Sequence, residues 1–152
     1  GLSLALFAVL GALALLACVG TATAVVYGSA WLQGVFNDPT TTVQNFYGAV
    51  QQGDYARAYT AFSDAARRHT SEAAFAGQFG SYDAIDGTIA AYTLGTPRYA
   101  SGGNSATLVV TVTRRGTARA GETHTLNLVK QGGQWRIDAL TITNAPPTPA
   151  AP

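Results

Sequence analysis

The first 37 residues contain no Asp, Glu, Lys or Arg; the first charged side chain is Asp38. That lead excludes an ordinary soluble chain over the full length, because an uncharged apolar run of this size is a membrane-type signal. The remainder carries all 9 bases and 8 acids and nets only +1, which excludes a polybasic nucleic-acid binder. The single cysteine, Cys18, lies in the lead, so no disulfide can form within the body. Two histidines, His69 and His124, stand far apart with no Cys near them and do not make a metal-ligand set. No G-x-G-x-x-G or P-loop run is present to cradle a phosphate, and no Gly-x-Ser-x-Gly elbow to present a nucleophile.

Leu, Ala, Val, Phe and Gly dominate the lead from Leu2 to Leu32. A spanning helix needs about 20 apolar residues, so residues 1–36 are expected to form a transmembrane helix, with 37–40 as a linker. Tyr27 and Trp31 near its end suit the headgroup level, where amphipathic rings settle. Two other readings compete. A cleaved signal peptide has an apolar region of only about 7–15 residues, which this run outlasts. A lipoprotein signal would use Leu15-Leu16-Ala17-Cys18, but the chain stays apolar after Cys18. The retained single-pass anchor is the preferred reading. The chain opens on Gly1 without a basic flank, so the expectation is that a longer precursor carries the residues that set orientation. Gly20, Ala24 and Gly28, continuing from Ala8 and Ala12, share one helical face where a neighbouring helix could approach closely. An Ala/Gly-rich span also produces such spacings by chance. The lead has no His, Met or acid, which argues against a ligated haem or pigment and against an ion path.

The body reads as helices followed by strands. Thr41-Thr42-Val43-Gln44 has the form of a capping box, and Val43, Phe46, Tyr47 and Val50 then fall on one helical face. Gly53-Asp54 stops that helix and starts a second, with Tyr55, Ala58, Tyr59 and Phe62 at the same spacing. Ser71 can cap a third, with Phe75, Phe79 and Tyr82 on one side and glycines weakening it. Strands are expected over Thr88–Leu94, Arg98–Ala100, Ala106–Arg114 and Glu122–Lys130, and from Trp135 onward, with Gln131-Gly132-Gly133-Gln134 as a hairpin turn. Trp135 and Ile137 have one parity, Leu140 and Ile142 the other, which predicts a β-bulge or a doubly covered strand near Ala139. The Pro-rich tail, 144–152, cannot join a sheet. The fold class is therefore α+β: an N-terminal transmembrane helix, then three helices packed on a curved antiparallel sheet.

The run Phe46-Tyr47-Gly48-Ala49-Val50-Gln51-Gln52-Gly53-Asp54-Tyr55-Ala56-Arg57-Ala58-Tyr59, with Ser63 after it, resembles the nuclear-transport-factor-2-like superfamily. So does the closing Gly132-Gly133-Gln134-Trp135-Arg136-Ile137 hairpin. The resemblance covers about Thr41 to Thr143 and is strongest to small membrane-anchored or lipoprotein members from bacteria. It implies a cystatin-like cone over residues 41–143 and is nearly silent on activity.

Enzymes on that fold use an Asp or His base with a Tyr or Asp oxyanion donor. The residues of those types are Tyr47, Tyr55, Tyr59, Asp83, Asp86, His69 and His124, and none maps onto a family catalytic position. Asp83 and Asp86 flank a helix end where solvated carboxylates are common, and His124 among threonines reads as a surface residue. The tyrosines read as core packing. Arg114, Arg115 and Arg119 read as a solvated loop cluster, with contact to acidic lipid or a partner as the sharper option. Tyr47, Tyr59, Phe75 and Trp135 are the candidates for lining a pocket, should the cone hold one.

No catalytic, cofactor or metal site is expected. The function expected is that of a single-pass, non-catalytic accessory subunit of a larger membrane complex, with the bilayer and other transmembrane subunits as partners and no nucleic acid. The body is expected on the extracytoplasmic side of the cell membrane. The alternative is a tethered cone that binds a small apolar ligand or acts as a polyketide-cyclase-like or isomerase-like enzyme.

Overall fold

The computed structural model describes residues 37–116 and 121–146. The chain divides between Gly34 and Val35, and the second unit is the one described here. The expected transmembrane helix, its packing residues Ala8, Ala12, Gly20, Ala24 and Gly28, and the ring anchors Tyr27 and Trp31 lie outside the described residues. So do Arg119 and most of the tail. Among the described residues no helix is long and apolar enough to cross a membrane.

Helix α1 spans Pro39–Gln51. Its N-cap is Asp38, whose carboxylate accepts from the Thr41 N–H at 2.9 Å and from the Thr41 hydroxyl at 2.6 Å. The helix thus starts three residues before the capping box suggests, and residues 39–40, expected as linker, open its first turn. Pro39 fits there because the first helical N–H has no intrahelical partner to lose. Burial raises the Asp38 carboxyl, but the hydrogen bonds from Thr41 and Thr40 outweigh it and hold it below its ordinary value.

Among the described residues four helices form where three were expected in the body. Asp54 caps α2, Tyr55–Tyr59; Ser63 caps α3, Asp64–His69; Ser71 caps α4, Glu72–Asp86. The expected second helix breaks after Tyr59 because the chain pauses to pair with the sheet. Ser63 N–H donates to the Ile137 carbonyl at 2.8 Å, and Ile137 N–H donates to the Ala61 carbonyl at 2.8 Å. Periodicity along the helix cannot show a bond to a strand so far downstream.

The strands are β1 (Ile89–Leu94), β2 (Arg98–Tyr99), β3 (Ser105–Arg114), β4 (Glu122–Gln131) and β5 (Gln134–Thr143). They form one antiparallel sheet in the order β1-β3-β4-β5, with the short β2 paired to β3. Gly132 and Gly133, at φ 60° and 78°, make the two-residue β4–β5 turn, which needs positive φ at both central positions. In β5, Ile137 pairs with Leu128 and Ala139 with Asn127, so Asp138 is the extra residue of a β-bulge. This is the break in alternation that the sequence places near Ala139.

The core lies between the sheet's inner face and the helices. Val43, Phe46, Phe79, Leu108, Val110, Leu126, Leu128 and Ile137 are all 2 % exposed or less. Each such burial is worth roughly 1.5–3 kcal/mol. Gly87, at φ 77°, ends α4 so tightly against the end of β3 that a Cβ there would sit 2.9 Å from the Gly116 nitrogen. This close approach brings α4 alongside the last residue of β3, Arg114.

Candidate functional site

Strand alternation sends Glu122, His124, Leu126 and Leu128 to the same buried face of β4. On β3 the buried set Ala106, Leu108, Val110 and Val112 continues to Arg114. Two charged residues and an imidazole therefore enter the core by parity alone, and the fold must pair them. The Tyr47 hydroxyl on α1 lies 2.6 Å from Nδ1 of His124. Nε2 of His124 lies 2.8 Å from one Glu122 oxygen. A carboxylate only accepts, so the imidazole donates through Nε2. When the ring is neutral, Nδ1 then accepts from Tyr47. The other Glu122 oxygen accepts from Nε of Arg114. Arg114 Nη1 donates to Asp83 at 2.6 Å and to the Gly87 carbonyl at 3.1 Å. The second Asp83 oxygen accepts from the Tyr55 hydroxyl.

This chain, Tyr47–His124–Glu122–Arg114–Asp83–Tyr55, crosses the domain from core to surface. The His124 side chain is 0 % exposed, Arg114 1 %, Glu122 5 % and Asp83 11 %. Burial works against the Glu122 charge, but hydrogen bonds from His124 and Arg114 and their positive fields prevail, so its carboxyl sits below its ordinary value. Burial, and then the Glu122 charge, push the Tyr47 phenol up. Burial and the bond to Asp83 push Tyr55 up to about 12. The carboxylate–imidazole–hydroxyl order is that of a general-base relay, but here the hydroxyl is sealed and its proton is held more tightly than in water. The arrangement stores paired charge inside the core.

Several sequence expectations change here. His124 is buried, not a surface residue, and Asp83 is locked to Arg114 and Tyr55. Asp86 is 8 % exposed, where a solvated carboxylate was expected. Arg114 is a core ion-pair residue and not part of a solvated loop; Arg115 is exposed. The signal that could have found His124, Glu122 and Arg114 was their parity with the leucines and valines of their own strands.

An opening in the domain lies elsewhere. A cavity of about 260 Å³ sits at the β5 edge of the sheet, between the bulge and helices α2, α3 and α4. Tyr59, Phe62, Phe75 and Phe79 make one wall. Their rings are in mutual contact: Phe62–Phe75 centroids are 5.3 Å apart and Phe75–Phe79 4.8 Å. Leu140 and Ile142 of β5 face them, with Asp138 at the bulge and His69 also in the lining. Ser63 donates to one Asp138 oxygen at 2.6 Å.

Of the residues expected at a pocket, Tyr59 and Phe75 line this cavity. Tyr47 belongs to the buried chain instead, and Trp135 is buried beneath Tyr99 and Lys130. Asp138 was missed, although the parity break beside it marked the spot. Among the described residues no group of three or more His, Cys, Asp or Glu could hold a metal ion.

No family model matches the chain, and no curated protein does. Among solved structures it is similar to a protein of unknown function from Mycobacterium tuberculosis, at TM-score 0.51 and 14 % identity over 68 % of each chain. It is likewise similar to a domain of unknown function with a cystatin-like fold from Nostoc punctiforme, at TM-score 0.51 and 14 % identity, covering 70 % of this chain and 74 % of that one. At this identity the likeness concerns the fold, an α+β arrangement of the cystatin-like kind. Neither the structure nor these likenesses show catalysis.

Proposed function

We propose that the chain is a non-catalytic accessory module of the nuclear-transport-factor-2-like kind, held beside the cell membrane by its N-terminal segment as a subunit of a larger membrane complex. The observation that carries the non-catalytic reading is the state of the titratable side chains. Of the seven Tyr, Asp and His candidates, Tyr47, His124 and Asp83 are spent on one another and on Arg114 and Glu122. None of the three lines the cavity; Tyr59 and His69 do, with the Tyr59 hydroxyl donating to the Thr70 carbonyl. The anchor reading is supported by the charge-free residues 1–37, and the partner-helix reading by the small-residue face from Ala8 to Gly28. The body is proposed to stand on the extracytoplasmic side.

Purification of the full chain in mild detergent tests this. Migration within a larger assembly, with transmembrane proteins co-purifying, is the expected result. Migration as a lone monomer under conditions that keep membrane complexes intact defeats it. Protease added to intact cells or spheroplasts should cut the body. Protection of the body while a known external domain is cut reverses the orientation.

One observation favours a second reading, a tethered binding domain. Phe46 and Trp135 fill the interior, yet Tyr59, Phe75 and Asp138 line an open cavity. A concave, aromatic-walled space with a single carboxylate is the usual form of a small-molecule site.

A further inference from the structure

We infer that the cavity at the β5 edge selects a small cationic molecule: one aromatic or alicyclic ring bearing a short protonated amine. This rests on the binding-domain reading above and names the class of ligand. The size follows from the volume. About 260 Å³ lies just below the roughly 300–1,000 Å³ of pockets for drug-sized ligands, so one ring with a short arm fills it. The wall of Tyr59, Phe62, Phe75 and Phe79 presents ring faces and edges, surfaces that attract both apolar rings and cations.

The charge follows from which polar groups are already engaged. The Tyr59 hydroxyl donates to the Thr70 carbonyl at 2.8 Å. The Gln78 amide donates to the Tyr82 hydroxyl at 2.9 Å. Asp138 receives one hydrogen bond, from Ser63, and its second oxygen has no partner among the described residues. A carboxylate can only accept, so Asp138 asks its ligand for a donor; His69, exposed at the end of α3, also lines the cavity and adds no carboxylate. The nearby guanidiniums do not compete. Arg67 lies over the Tyr59 ring and donates to the Thr60 carbonyl, as does Arg136, and neither lines the cavity. Asp138 is the bulge residue of β5, and bulges commonly re-aim a side chain.

Three probes of similar size test this on the full chain in lipid nanodiscs, by calorimetric titration: 2-phenylethylammonium, 2-phenylethanol and phenylacetate. The ammonium is expected to bind about tenfold more tightly than the alcohol, and phenylacetate more weakly than either. Asp138→Asn should remove the ammonium's advantage and change the alcohol's affinity less than twofold. Ser63→Ala, which keeps the carboxylate, should preserve the advantage. Equal binding of ammonium and alcohol, or tightest binding of phenylacetate, overturns the charge selection while leaving the binding-domain reading standing. No binding of any probe to folded wild-type chain overturns both.

Discussion

Two regions of this domain use the same kinds of side chain in opposite ways. Between the inner face of β3 and β4 and the helices, two carboxylates, a guanidinium, an imidazole and two phenols are bound into one chain that is sealed at His124 and Arg114 and half-buried at Tyr55. At the β5 edge, the Asp138 carboxylate shares an open aromatic cavity with His69, and among the described residues its hydrogen-bond partner is Ser63. The first region is charged and largely closed; the second is open and carries one carboxylate. A buried ion pair is weak grounds for extra stability, yet removing one partner is costly because the other is left charged and dry. The buried chain should therefore respond to mutation in stability, and the cavity in binding.

Arg114→Met should have the largest effect. It strands Glu122 and Asp83 inside the domain, and a loss of about 3–5 kcal/mol in urea unfolding is expected. A loss below about 1 kcal/mol would mean that the pairing is not the buried one described here. Acid should undo the same pairing gradually. The Glu122 carboxyl is held below its ordinary value, so the unfolded chain takes up its proton at higher pH than the folded chain does. Its stabilising contribution is then complete above the ordinary glutamate range, near pH 4.3, and is lost as pH falls through the folded value. Thermal midpoints measured from pH 7 down to pH 3 should fall more steeply in wild type than in Glu122→Gln, with Asp38 supplying slope in the same direction in both.

Tyr47→Phe should cost less, about 1–3 kcal/mol, because it leaves Nδ1 of His124 buried without a partner. Asp138→Asn should cost least, within about 0.5 kcal/mol, since the amide keeps an oxygen that can still accept from Ser63. If Asp138→Asn proved as destabilising as Tyr47→Phe, the contrast between the two regions would collapse.

Much of this contrast was legible along the chain. Alternation places Leu126 and Leu128 on one face of β4 and carries His124 and Glu122 with them, although the threonines between read as a surface. The bulge was legible as a parity switch between Ile137 and Leu140. The partners were not. Tyr47 meets His124 across 77 positions, which requires the α1 face and the β3–β4 register together. Arg114 meets Asp83 only because Gly87 lets α4 end against Gly116. The break between α2 and α3 was hidden for a similar reason, since the bonds that cause it belong to Ile137.

The bulge in β5 has a meaning for how the chain tolerates insertion and deletion. Trp135, Ile137, Leu140 and Ile142 would fall in one unbroken alternation if Asp138 were absent, and Ala139 would still oppose Asn127. The sheet's packing makes no use of that one residue. Asp138 reads as an interpolated letter, spelled into a strand whose apolar grammar is complete without it. A single-residue deletion there should leave a folded domain whose edge cavity has lost its carboxylate.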